Sequence, residues 1–78
     1  PNPFNPSTVI RYAIPKSVYV KLIVFDALGK EIETLVNESQ KAGTYEAAFD
    51  GSKYPSGVYF YRIITKDFVQ TQRMALIK

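Results

Sequence analysis

The run Val58-Tyr59-Phe60-Tyr61-Arg62-Ile63-Ile64 constrains this chain more than any other segment. Apart from Arg62, every residue in it is β-branched or aromatic, types that pack well on a pleated surface and lose rotamer freedom in a helix. Its apolar continuity predicts a central strand buried on both faces. A central strand needs partners on both sides, so the rest of the chain must supply more strands.

The flanking sequence does so. Thr8, Ile10, Tyr12 and Ile14 alternate with Val9, Arg11 and Ala13 until Pro15 ends the run, the period-two signature of a half-buried strand. From Val18 to Asp26, Val20, Leu22 and Val24 share one face, and Tyr19, Lys21, Ile23 and Phe25 the other, so the outer face is partly covered. Asp26-Ala27-Leu28-Gly29-Lys30 supplies an Asp that bonds forward to the backbone and a Gly that takes positive φ, the makings of a hairpin. A third strand is expected from about Glu31 to Val36. Leu28, Ile32 and Leu35 also fall at helical spacing, but two turns make too short a helix, and strand is the favoured reading. Asn37 to Ala42 reads as a polar loop. Gly43 opens a fourth strand with Tyr45, Ala47 and Phe49 on one face. The turn-rich stretch Asp50 to Gly57 leads into the central strand, and Phe68 to Ile77 forms the last, with Met74 and Leu76 in the core. Ahead of all this, Pro1, Pro3 and Pro6 make residues 1–6 an extended lead-in, because each lacks an N–H and fixes φ.

Short strands at this spacing predict an all-β sandwich or barrel. Ser56-Gly57-Val58-Tyr59-Phe60-Tyr61 narrows the choice. It has the form of an immunoglobulin strand entry in which a Tyr turns its hydroxyl back onto the backbone, with Tyr61 where the inter-sheet Cys would stand. A tyrosine that simply fills core space is the other reading of Tyr59.

The chain has 78 residues, enough for one core and one domain, since a chain of that size buries only about 60% of its unfolded surface. It contains neither Cys nor His. Disulfides, thiolate zinc sites and cysteine nucleophiles are thereby excluded, together with the commonest general base and metal ligand. No apolar run approaches the roughly 20 residues that cross a bilayer as a helix, and no signal peptide is evident. A start at Pro1 in a turn-rich segment suggests a piece of a longer protein. The formal charge of +3 is concentrated at the C-terminal end, where Arg62, Lys66, Arg73 and Lys78 face only Asp67. Nucleic acid is not an expected partner, for there is no basic stripe and no binding motif.

Nothing in the sequence forms a catalytic constellation. Asp26, Asp50 and Asp67 sit in turns for backbone reasons, while Glu31, Glu33, Glu38 and Glu46 fall on expected solvent faces. The four glycines are scattered, so no phosphate-cradling loop exists. Asn37, Glu38 and Asp50 lack the spacing of a calcium loop. Tyr19, Phe25 and Tyr54 offer a sugar-stacking platform, with packing beneath a loop as the alternative. The chain is read as no enzyme, with no cofactor, no metal and no small-molecule substrate.

Four ordered motifs carry a resemblance: Pro1-Asn2-Pro3-Phe4-Asn5-Pro6-Ser7-Thr8, Val24-Phe25-Asp26-Ala27-Leu28-Gly29-Lys30-Glu31, Ala42-Gly43-Thr44-Tyr45 and Ser56-Gly57-Val58-Tyr59-Phe60-Tyr61-Arg62. Over its whole length the chain resembles the C-terminal sorting domain, type A, of the bacterial type IX secretion system. It is also similar to the immunoglobulin-like domain of the flagellar hook-capping protein. The resemblance implies an immunoglobulin-like antiparallel β-sandwich of about seven short strands, with residues 1–6 as lead-in and residues 7–78 as the sandwich. It implies a label at the end of a cargo protein that enters the periplasm through its own N-terminal signal. The label then directs the cargo through the outer-membrane translocon to the cell surface or medium, and a sortase-like peptidase commonly removes it. Lys53-Tyr54-Pro55 departs from the family pattern, which more often has Leu between small residues, and puts that loop's contacts in doubt.

The family-signature and recognition candidates are Asn2, Pro3, Asn5, Pro6, Asp26, Gly29, Gly43, Gly57, Tyr59, Arg73 and Lys78. The lead-in or the final strand is expected to present a backbone edge and the cations Arg73 and Lys78 to a receptor, as in strand addition. The competing reading is an immunoglobulin-like structural or carbohydrate-binding accessory module retained on an extracellular enzyme or adhesin.

Overall fold

The computed structural model describes residues 3–78. Its six strands are β1 (Ser7–Ile14), β2 (Val18–Asp26), β3 (Glu31–Gln40), β4 (Gly43–Asp50), β5 (Gly57–Ile64) and β6 (Val69–Leu76). They form two sheets, β1-β4 and β3-β2-β5-β6, with every pair antiparallel. Facing across a shared core, the sheets make an immunoglobulin-like sandwich.

There are six strands where about seven were expected, and the extended lead-in adds only a bridge. Phe4 pairs in parallel with Leu76, its N–H donating to the Ala75 carbonyl at 2.9 Å and its own carbonyl accepting from Ile77 N–H at 3.0 Å. Pro3 and Pro6 on either side have no N–H to extend the pairing. The Phe4 side chain is buried beside Phe49, so the lead-in is anchored in the core of the sandwich.

The hairpin at Asp26 shows why residues 28–35 form no helix. The Asp26 carboxylate accepts from Leu28 N–H at 3.0 Å and Lys30 N–H at 2.9 Å, and its carbonyl accepts from Gly29 N–H. Gly29 takes φ of 85°, a left-handed conformation that costs a residue with a Cβ about 1 kcal/mol or more. These bonds close the turn within five residues, before a helix could nucleate. Leu28 is left 95% exposed at the tip.

Two expectations need correction. Asn37 to Gln40 are strand, extending β3 four residues beyond Val36 against Val18 to Lys21. On this edge strand Asn37, Glu38 and Ser39 are exposed, so the segment needs no apolar residues. Side-chain bonds hold it instead: Tyr19 donates to Asn37 Oδ1 at 2.8 Å and Tyr12 to Gln40 Oε1 at 2.9 Å. β5 is central, between β2 and β6, yet it is not buried on both faces. Tyr59 and Ile63 are buried inward, whereas Val58, Phe60, Arg62 and Ile64 are only half-buried, because β1-β4 covers the other side of the four-stranded sheet.

The core joins Phe4, Ile10, Tyr12 and Ile14 to Val20, Leu22, Val24, Phe49, Tyr59, Ile63, Met74 and Leu76. Phe49 is fully buried, with Phe4 edge-on at 5.9 Å, Tyr54 stacked at 5.8 Å and Tyr59 tilted at 6.4 Å. Such aromatic pairs add roughly 0.5–1.5 kcal/mol beyond area burial.

Candidate recognition surfaces

The signature residues resolve into closures of the fold. Asn2 lies outside the described residues. Pro3, Asn5 and Pro6 flank the buried Phe4, and the Pro6 carbonyl accepts from Gly51 N–H at 2.8 Å. Gly51 is itself buried. A Cβ there would stand 2.9 Å from Leu76 Cδ2 and 3.0 Å from the Pro6 carbonyl oxygen. The sequence drew no attention to Gly51, because a glycine among turn formers has an ordinary explanation. The close approach that requires it involves residues 6 and 76, both remote in the chain.

Gly43 and Gly57 open β4 and β5 at φ of 156° and 155°. Two residues beyond Gly57, the Tyr59 hydroxyl donates to the Pro55 carbonyl at 2.6 Å. This is the tyrosine corner, and the ring fills the core as well, so both readings of Tyr59 hold. Burial pushes the Tyr59 hydroxyl above its usual pKa. Tyr59→Phe keeps the ring and deletes the bond, and should cost about 1 kcal/mol. Urea unfolding of the two proteins measures the difference; equal midpoints would reduce Tyr59 to a core filler.

Tyr54 settles the contacts of the departing loop. It stacks on Phe49, filling the space where the family more often has Leu, and its hydroxyl donates to Glu33 Oε1 at 2.6 Å. That bond to a carboxylate, aided by burial, pushes the Tyr54 pKa up to about 12. An unfolded tyrosine titrates near 10. The group's stabilising contribution is therefore full below about pH 10 and is lost as the pH rises through about 12. Tyr54→Phe should show a shallower fall in stability over that interval than the parent, measured by denaturant unfolding at successive pH values.

The two cations expected to act together are separated. Lys78 lies beyond β6 and closes on the β4–β5 connection, its Nζ donating to the Ser52 carbonyl at 2.6 Å and its backbone N–H to Ser56 Oγ at 3.1 Å. Arg73 is exposed within β6, opposite Phe60 on β5, on the face away from the buried Met74 and Leu76.

Most of the carboxylates are engaged in turns or ion pairs. Asp26 and Asp50 accept turn amides, and the Ser52 N–H on Asp50 holds that carboxyl below its usual range. Glu46 pairs with Arg11 at 2.8 Å, Asp67 with Lys16 at 3.6 Å and Glu33 with Lys53 at 4.0 Å. Among the described residues no three acidic groups converge on a metal-sized site, and Asn37 is engaged with Tyr19. Nor do the three aromatics of the sugar-platform reading share a plane. Tyr54 is stacked inward, Phe25 lies beneath Arg62, and Tyr19 is six residues away along β2, roughly 20 Å.

The family model described as "Secretion system C-terminal sorting domain" matches residues 1–78. No curated protein and no solved structure matches the chain. A match over the whole chain, on a sandwich whose signature motifs close its turns and its corner, does not favour an accessory module and answers what the chain is for. It belongs to the family of C-terminal sorting domains that act as secretion signals of the type IX system.

Proposed function

We propose that the folded sandwich is itself the delivery label: the export machinery reads its shape and a few exposed groups, passes the attached cargo through the outer-membrane translocon, and leaves the domain to a sortase-like peptidase cutting upstream of Pro1. The cargo then reaches the cell surface or the medium. The observation that carries this reading is the family match across residues 1–78. The local geometry supports it, since Asp26, Gly29, Gly57 and Tyr59 are spent on turns and a corner. Residues used in this way specify a rigid shape, which is what a label needs. The candidate recognition residues then act in two ways. Pro3, Asn5 and Pro6 set the path of the chain where cargo joins label, and Arg73 is an exposed contact to the receptor.

The test is to fuse residues 1–78 to a periplasmic reporter in a bacterium with this secretion system. The reporter should appear at the surface or in the medium, and the same reporter without the domain should stay in the periplasm. Periplasmic retention of a folded fusion would sink the proposal.

A further inference from the structure

Among the described residues nothing covers the outer face of the four-stranded sheet, and its composition is unlike that of the other sheet. Register places its side chains in rows across the strands. Glu31, Phe25, Phe60 and Arg73 form one row, and Thr34, Ile23, Arg62 and Thr71 the next. Lys21, Ile64 and Val69 follow. The face is thus apolar and aromatic at its centre, with three cations and a single carboxylate. Glu31 lies on β3, at the far end of the row from Arg73, about 14 Å across three strand spacings. Among the described residues no ion pair forms on this face. On the outer face of β1-β4, by contrast, Arg11 is neutralised by Glu46.

Arg62 is held ready on this face. Its guanidinium carbon stands 4.7 Å from the centroid of the Phe25 ring, and its Nε donates to Thr71 Oγ1 at 3.1 Å. Stacking and that bond fix the plane of the guanidinium and leave its two terminal nitrogens without a partner among the described residues. Such a fork matches a carboxylate with two parallel bonds. Beside it, Phe25, Gly29, Phe60, Arg62 and Thr71 wall a shallow hollow of about 290 Å³. Arg73 sits diagonally from Arg62 across β5 and β6, about 7–8 Å away at the backbone.

We infer that this face docks a protein surface bearing carboxylates, with Arg62 and Arg73 each taking an acidic side chain and the Phe25–Phe60 hollow taking an apolar one. The inference rests on the export reading and names the surface that the machinery touches. Charge selects an acidic partner. The form of the cations selects protein over membrane: two are arginines, one of them pinned in plane, and the aromatics lie half-buried in the sheet, where they cannot insert among lipids. Arginine and aromatic residues are also what the centres of protein interfaces favour. The face measures roughly 20 Å by 15 Å, well under the roughly 800 Å² that each partner gives to a stable interface. The contact is therefore brief, as suits a label that must be passed on.

The test uses the reporter fusion with Arg62→Glu and Arg73→Glu together, Arg73→Glu alone, and Arg11→Glu on the opposite sheet as control. Export and melting midpoint are measured for each. The double reversal should lower export about tenfold or more. Arg73 makes no side-chain bond among the described residues, so Arg73→Glu should lower export severalfold at an unchanged midpoint. Arg11→Glu should export like the parent. Export that follows only the melting midpoint, or that falls equally with Arg11→Glu, would overturn the docking face while leaving the export reading intact. Purified fusion is also sedimented with vesicles of phosphatidylcholine and phosphatidylglycerol; binding that the double reversal abolishes would replace the protein partner with a membrane and overturn the assignment. Failure of the unaltered fusion to leave the periplasm is the separate result that removes the export reading, and this inference with it.

Discussion

Phe4→Ala is expected to lower the stability of the sandwich by about 3 kcal/mol or more, the usual cost of deleting a buried phenylalanine. A 78-residue domain has a net stability of only about 4–12 kcal/mol, so one residue of the proline-rich lead-in carries a large share. The melting midpoint should fall by about 12 °C or more. The physical reason is position. Phe4 is bonded to Ala75 and Ile77 and packed against Phe49, so its ring seals the core where the chain crosses from the β6 edge into β1. Phe4→Leu, which refills most of the volume, should recover most of the loss. Because Ala keeps the backbone bonds to β6, the experiment separates packing from pairing. A midpoint that stays put in Phe4→Ala would mean that the lead-in is not part of the core.

The second large effect is expected at Gly51. Gly51→Ala should cost about 2–3 kcal/mol, at the upper end for overpacking a filled site, because the new methyl meets Leu76 at 2.9 Å and the Pro6 carbonyl at 3.0 Å. Leu76 is itself buried and has little room to turn away. Pro6 is fixed by the N–H it accepts from Gly51. Thermal unfolding should show a drop of about 8 °C or more. The double change Gly51→Ala with Leu76→Val should cost less than the two single changes added, since the smaller side chain removes part of the clash. Residues in contact are where additivity fails. Simple addition of the two costs would mean that Gly51 does not approach Leu76 as closely as the structure has it. At Gly57 the same reasoning gives a smaller effect, because its surroundings are open and only its φ resists a side chain.

Where a segment's own residues must satisfy their own geometry, the sequence was a sufficient guide. Alternation placed β1, β2 and β4 and identified Met74 and Leu76 as core, because a strand with one buried face shows its period whatever lies opposite. The Asp26–Gly29 turn and the Tyr59 corner were legible for the same reason: each closes within five residues, on bonds that those residue types make with their own backbone. The four motifs gave the family, and with it the function. What the sequence misread, or gave no sign of, depends on residues far apart in the chain. Asn37 to Gln40 are strand because β2 runs beside them, and β5 is half-bare because a sheet of two strands covers only one side of a sheet of four. Lys78 is drawn away from Arg73 by Ser52 and Ser56. Arg62 stands over Phe25 because residues 37 apart in the chain come to lie on adjoining strands. Period and turn chemistry are local, and so determine strands and hairpins; which faces meet, which stay bare and which charges share a surface are properties of the packed sheets, and only the tertiary structure decided them.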